Sequence, residues 1–200
     1  MLISFEGIDG CGKSTQINLL KQYFEKKGLK YSIFREPGGT EISERIRSLL
    51  LHETEMMDPV TELLLFSAAR SQLIQEKVLP LLKDDQIVIL DRFFDSTTAY
   101  QGYGRKSADL ESIRNLNELA THHTIPNLTF YLRIAPEEAA KRTSGTRKDR
   151  MENSGTPFFS LVSKGYDEMA EKEERIYTLD ATHSPGKIHS EIVSVIGKNF

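Results

Sequence analysis

An apolar run, Leu2–Phe5, leads directly into Gly7-Ile8-Asp9-Gly10-Cys11-Gly12-Lys13-Ser14, and a helically spaced segment from about Lys13 to Lys27 follows. The eight residues satisfy G-x-x-x-x-G-K-[ST] in the strand-to-helix setting where that spacing has a physical purpose. Backbone N–H groups can surround a polyphosphate only where side chains do not block them, which glycine permits, and the helix N-terminus adds its positive dipole end. In such a cradle Lys13 reaches the β- and γ-phosphates of a nucleoside triphosphate and the Ser14 hydroxyl ligates Mg²⁺. A plain glycine-rich turn with a solvated Lys13 is the alternative, and it leaves both the pattern and its flanks to chance.

The rest of the chain repeats the strand-then-helix rhythm expected of a parallel α/β sheet covered by helices. Strands are expected at Leu2–Phe5, Tyr31–Phe34, Gln86–Leu90, Leu128–Ile134 and Arg175–Leu179, each apolar enough to be buried on both faces. Helices are expected at Lys13–Lys27, Glu41–Leu51, Pro59–Leu82, Asp109–His122, Pro136–Arg142, Phe158–Lys172 and Pro185–Ile196. Asp58-Pro59 and Ser184-Pro185 each set a capping side chain before a proline at the first helical position. With 200 residues, the chain is expected to form a single domain, since division is usual only beyond roughly 250. The polar stretch Thr143–Pro157 is expected to be a mobile lid, because Met151 is its one aliphatic-like side chain and the sheet pattern resumes after it.

Charge and composition narrow the classes. The 29 acids and 26 bases leave −3, so no global positive field draws the chain to nucleic acid or an anionic membrane. No apolar run approaches the ~18 residues of a membrane helix, and Met1–Glu6 lacks the features of a secretory signal, so a cytoplasmic protein is expected. Cys11, the single cysteine, cannot form an internal disulfide and serves as a small spacer in the loop.

A GTPase would carry Asn-Lys-x-Asp, which is absent; a motor or transporter ATPase would end a strand in Asp-Glu, whereas Ile87–Leu90 runs into Asp91-Arg92. A cation at the C-terminal edge of the neighbouring strand favours a second anionic ligand beside the first. The chain is therefore expected to hold a phosphate acceptor.

Taken with the loop, Arg35-Glu36-Pro37-Gly38-Gly39-Thr40, Phe66-Ser67-Ala68-Ala69-Arg70, the segment Asp91-Arg92-Phe93-Phe94-Asp95-Ser96-Thr97-Thr98-Ala99-Tyr100-Gln101-Gly102, and Asp149-Arg150 resemble the thymidylate kinases of bacterial type over nearly the whole chain. The resemblance implies a P-loop NTPase fold and transfer of the γ-phosphoryl of ATP to dTMP, giving dTDP and ADP, with Mg²⁺, in a homodimer. It places Gly7, Ile8, Asp9, Gly10, Cys11, Gly12, Lys13, Ser14, Thr15, Arg142 and Thr182 on ATP. It places Asp9, Pro37, Arg47, Phe66, Arg70, Arg92, Thr97, Tyr100, Gln101 and Tyr166 on the acceptor, and Ser14 and Asp91 on the metal.

Within that resemblance, Arg92 and Arg47 hold the acceptor phosphate, Phe66 stacks on thymine, Arg70 donates to a thymine carbonyl, and Tyr100 crowds the 2′ position. Gln101 is the base contact, while Thr97 stands where some members have asparagine. Some thymidylate kinases have an arginine in the loop where this chain has Gly10, so the catalytic cation is assigned to the lid, as Arg147. Arg150 either contacts phosphate or braces the lid against a carboxylate. Members commonly have arginines where this chain has Phe159–Ser163, so one phosphate or lid contact is either missing or supplied by Lys164. Lys13, Arg92, Arg147 and Asp9 form the catalytic set.

The residues alone leave alternatives open. Phe66 also suits core packing among Leu63, Leu64 and Leu65; Arg47 suits a solvent-facing helix surface; Asp91 suits pairing with an arginine; and the lid charges suit a solvated loop. Glu36 and Pro37 shape a turn. Another small-molecule or nucleoside monophosphate kinase, and a nucleotide-binding regulator without transfer activity, are the competing functions.

Overall fold

The computed structural model describes residues 1–52, 56–145 and 150–199, with the backbone alone at positions 52 and 152. Among them, β1 (Leu2–Glu6), β2 (Tyr31–Arg35), β3 (Ile87–Asp91), β4 (Leu128–Arg133) and β5 (Ile176–Asp180) form one parallel sheet in the order β2-β3-β1-β4-β5. β1 pairs Ile3 with Ile89 on one side and with Leu128 on the other. It is the strand about which the chain reverses direction across the sheet, so the loop that follows opens into the crevice at the sheet's C-terminal edge.

Alternation along the strands sorts side chains to the two faces. Ile3, Phe5, Ile89 and Phe130 meet Leu20 and Phe24 of α1 (Lys13–Lys27) and Ile192 and Ile196 of α9 (Pro185–Lys198). Leu2, Val88 and Leu90 meet Leu73 of α3 (Pro59–Leu73) together with Ile74 and Val78. Burial on both faces holds for β1, β3 and β4, but β2 is half-exposed and β5 is buried only at Ile176 and Leu179. As edge strands they are covered less completely than the centre.

Both proline-preceded caps form: Asp58 accepts from the Val60 and Thr61 amides at 2.9 and 3.0 Å, and Ser184 from Lys187 at 3.4 Å. The expected Pro59–Leu82 helix is divided. After α3 comes a π turn, Ile74–Val78, and then α4 (Leu79–Lys83). Pro80 has no N–H to give and its ring crowds the preceding carbonyl turn, which a widened turn relieves.

A helical segment that periodicity did not mark joins β3 to α6 (Leu110–Ala120): α5 (Phe94–Thr97) continues as a π stretch, Thr98–Gly104. Glycines and β-branched residues disfavour helix there, and packing against α8 (Thr156–Lys172) overrides them. A Cβ at Gly104 would lie 2.5 Å from the Phe158 ring, so only glycine lets the two elements approach so closely. α8 begins at Thr156, two residues before the expected Phe158, with Pro157 in its first turn. α2 (Glu41–His52) and α7 (Pro136–Arg142) complete the walls around the crevice. Among the described residues no helix is long and apolar enough to cross a membrane.

Candidate active site

The glycine-rich loop turns on positive φ at Gly7, Gly10 and Gly12. At Gly10, with φ 84°, a Cβ would sit 2.6 Å from the Ala139 carbonyl of α7, so no side chain fits that position in this conformation. Lys13, at the start of α1, is buried; its Nζ donates to the Gly7 carbonyl at 3.0 Å and lies 3.9 Å from Asp9 Oδ1. The Cys11 side chain is buried, as a spacer should be.

Arg92 follows β3 with φ 73°, a left-handed conformation that is costly for a residue with a Cβ and persists where surrounding contacts enforce it. Its amide bonds the Phe5 carbonyl. Its guanidinium donates to Gly7 O at 3.0 Å, Ser96 Oγ at 3.3 Å and Asp9 Oδ1 at 2.7 Å, and lies 5.0 Å over the Tyr100 ring. Burial would raise the Asp9 carboxyl, but the charges of Arg92 and Lys13 and the Arg92 hydrogen bond outweigh it and hold Asp9 below the usual carboxylate range.

Two cavities meet over this arginine. One is lined by Gly10, Gly12, Lys13, Ser14, Thr15, Arg35, Asp91 and Arg142. The other is lined by Pro37, Leu51, Phe66, Arg70, Ser96, Thr97, Tyr100, Gln101 and Met151. Asp9, Glu36, Arg47 and Arg92 line both. Phe66 is half-buried on the cavity wall and outside the core clusters. Arg47 donates to the Pro37 carbonyl at 2.9 Å and faces the cavities.

The second cavity has a defined hydrogen-bonding wall. Arg70, buried, donates to Glu36 Oε2 at 2.7 Å, Thr97 Oγ1 at 2.8 Å and the Phe93 carbonyl at 3.2 Å. Since Thr97 accepts from Arg70, its own hydroxyl proton can be given to a ligand. The buried Tyr100 hydroxyl and Glu36 Oε1 have no hydrogen-bond partner among the described residues. Such groups are costly unless something meets them.

The chain is similar throughout its length to known proteins. The family model described as Thymidylate kinase matches residues 5–192. The thymidylate kinase of Chlorobaculum tepidum is 48% identical over 207 residues, covering 98% of this chain and 96% of the relative. That of a Thermoanaerobacter species is 42% identical over 197 residues, covering 98% and 97%. The crystal structure of thymidylate kinase from Ehrlichia chaffeensis superposes with a TM-score of 0.80 at 34% identity, covering 98% of each chain.

The chain belongs to the thymidylate kinase family.

Its sheet and flanking helices are those of a P-loop NTPase fold. The residues that carried the resemblance to the thymidylate kinases fall in different parts of the crevice. Arg142, on the wall of the loop cleft, donates to the Ala181 carbonyl at 3.0 Å, beside Thr182, whose hydroxyl donates to Asp180; Thr182 itself is not among the residues lining that cleft. Tyr166 is not among the residues lining the second cavity; it lies behind the wall, buried, its hydroxyl on Glu6 and Ser96. Arg150 forms an ion pair with Glu62, Nη2 to Oε2 at 2.6 Å, and donates to the Leu50 carbonyl at 2.9 Å, tying the end of the polar stretch to α3 and α2. Lys164 is exposed and pairs with Glu168. Arg147 lies outside the described residues, as does Asp149.

Sequence reasoning passed over Glu6, although an acid ending an otherwise apolar strand was a usable signal. Glu6 is fully buried, accepting from the Phe93 amide at 2.7 Å, Ser96 Oγ at 2.6 Å and Tyr166 at 2.9 Å, directly behind Arg92. Burial, aided by the charge of Asp95, pushes its carboxyl up to about 7 against the opposing Ser96, Arg92 and Tyr166 interactions. The folded chain therefore holds the Glu6 proton more tightly than the unfolded chain. Its favourable contribution is complete below pH 4.5 and is lost as pH rises through about 7. Glu6→Gln, which mimics the protonated acid, is expected to flatten this dependence. From pH 5 to 8 the unfolding free energy of the parent, measured by urea titration, should fall relative to that of the variant, by at most about 3 kcal/mol; parallel curves would refute the assignment.

Proposed function

We propose that the loop cleft holds the phosphates of ATP with Mg²⁺ and that the adjoining cavity holds dTMP, their phosphates meeting over Arg92. Membership of the family makes the reaction the phosphorylation of dTMP to dTDP, with ATP as donor. The observation that supports the site reading is the wall of Asp9, Glu36, Arg47 and Arg92 common to both cavities, whose two arginines suit two anionic ligands side by side.

Phosphoryl transfer needs attacking and leaving oxygens in line with the developing charge neutralised, so positioning and electrostatics do most of the work. The loop amides and Lys13 hold the donor phosphates; the guanidinium forks of Arg92 and Arg47 orient the acceptor phosphate as its oxygen attacks the γ-phosphorus. Asp9 keeps Arg92 in place and faces the acceptor sugar. Ser14 and Asp91 line the loop cleft as oxygen donors, which suits Mg²⁺, an ion that takes one or two protein oxygens and keeps much of its water. When bound, that ion neutralises phosphate charge. Arg142 and Thr182 border the nucleoside end of the donor, and Arg147 supplies the lid cation for the transferring group.

Thymine presents an N–H between two carbonyls. Thr97 and Arg70 offer donors and Gln101 offers an acceptor to that edge, Phe66 stacks on the ring, and Tyr100 lies beside the sugar. Pro37 packs at the cavity rim. Tyr166 acts through Ser96 and Glu6, behind the sugar side. A single domain, a homodimer formed through helix faces such as the one exposing Val60 and Leu64, and a cytoplasmic location complete the proposal.

An acceptor panel of dTMP, dUMP, dCMP, dGMP and AMP with ATP tests it. The kcat/KM for dTMP should exceed that for dCMP, dGMP and AMP by about 100-fold or more, because mismatched edges strand buried polar groups. A comparable rate with any of those three would overturn the acceptor assignment.

A further inference from the structure

We infer that Glu62 is a positioning residue that sets which end of the Gln101 side-chain amide faces the base, and so makes the site selective for a ring with an N–H at that point. This rests on the reading above that Gln101 meets the base. Glu62 lies in the first turn of α3 and is 1% exposed. Its Oε1 accepts from Gln101 Nε2 at 2.8 Å and lies 3.5 Å from Arg105 Nε, and its Oε2 is 2.6 Å from Arg150 Nη2.

A carboxylate between two guanidinium groups has only lone pairs to offer. The end of the Gln101 amide that meets it must be the nitrogen, which removes the two-fold ambiguity of a glutamine side chain. The carbonyl oxygen is then the end left for the cavity, where Gln101 forms part of the wall, and no donor among the described residues reaches it. An oxygen there accepts from the N3–H of thymine or uracil. It repels the bare N3 lone pair of cytosine.

A neutral amide at position 62 has no such preference. In Glu62→Gln the new NH₂ can donate to Gln101 Oε1, so the Gln101 amide can turn and show its own NH₂ to the base. The Arg150 contact belongs to the lid brace and is separable by Arg150→Ala.

Steady-state kinetics with dTMP and dCMP, at saturating ATP, test the inference on the full chain. Glu62→Gln should raise KM for dTMP by about tenfold and narrow the dTMP-to-dCMP preference in kcat/KM by a similar factor, the scale of one lost hydrogen bond to a buried group. KM for ATP should stay within about twofold, and Arg150→Ala should keep the preference. Gln101→Leu separates the two levels of the argument. If it leaves dTMP kinetics unchanged, the base-pocket reading fails, and this inference with it. If Gln101→Leu weakens dTMP use while Glu62→Gln keeps the parental preference, Glu62 alone loses its role. Should Glu62→Gln not fold, hydrogen exchange of the Gln101 side-chain amide in the parent protein decides: slow exchange supports the clamp, and exchange at the rate of a free amide overturns it.

Discussion

Arg92→Met is expected to lower kcat/KM for dTMP by about three orders of magnitude, near 4 kcal/mol, while ATP affinity changes only several-fold. The asymmetry follows from where the guanidinium stands. It meets the loop at the Gly7 carbonyl and at the Asp9 carboxylate, 2.7 Å away, both acceptors rather than the amides that would cradle donor phosphates, and it forms part of the wall shared by both cavities. Without it, the acceptor phosphate loses its paired donors, and among the described residues Lys13, 3.9 Å away, is the cation left beside Asp9. Burial is then less opposed at Asp9, so its carboxyl rises and the acid limb of the pH–rate profile should move to higher pH. Arg92→Lys should recover only part of the loss, because an ammonium is a point charge and cannot span two oxygens as a fork does. Initial rates with dTMP and ATP varied separately measure all three effects. Small, equal changes in both substrates would remove Arg92 from the acceptor site.

Glu36→Leu should lower stability by about 3–5 kcal/mol, because it leaves the Arg70 charge buried without its carboxylate. For a chain of this size that is a fall in Tm of about 10 °C or more. The double substitution Glu36→Leu with Arg70→Met should regain most of it. Burial pushes Glu36 up to about 6 even with Arg70 at 2.7 Å, so desolvation outweighs the attraction of the pair. With a raised pKa, this contribution is complete below pH 4.5 and is lost as pH rises through about 6, so the ionised pair adds little net stability at neutral pH. Its use is geometric: Glu36 holds Arg70 so that Nη1 reaches Thr97, and the double variant should fold yet use dTMP poorly. Urea unfolding and dTMP kinetics on the three variants check this. A single-variant loss below about 1 kcal/mol would contradict the buried-charge account.

The polar stretch Thr143–Pro157 adds a contrast between composition and packing. Met151 stands alone as an aliphatic-like residue in a polar stretch, yet it is buried and lines the second cavity beside Leu51 and Gln101. One residue is enough there because Arg150 anchors its neighbour to α2 and α3 through Leu50 and Glu62. Composition counts side chains; it does not say where an adjacent ion pair will hold them.

Local physics made the sheet, the caps and the loop legible. Ile3 and Phe5 alternate with Leu2 and Ser4, Asp58 and Ser184 precede prolines, and Gly7–Ser14 needs only its own backbone to form a cradle; each signal lies within a few residues of the structure it specifies. The break of the long helix at Ile74–Val78 had a local cause in Pro80, which periodicity alone does not weigh, whereas the helical turn over Phe94–Gly104 depended on packing against α8. The charges that matter most behind the site also depended on neighbours that periodicity does not contain. Glu6 meets Phe93 and Ser96, Glu36 meets Arg70, and Glu62 meets Gln101 and Arg150, each across dozens of residues of chain. An acid's role is set by which cation or donor folding brings beside it and by how much water folding removes, and both are properties of the packed chain rather than of its sequence neighbours.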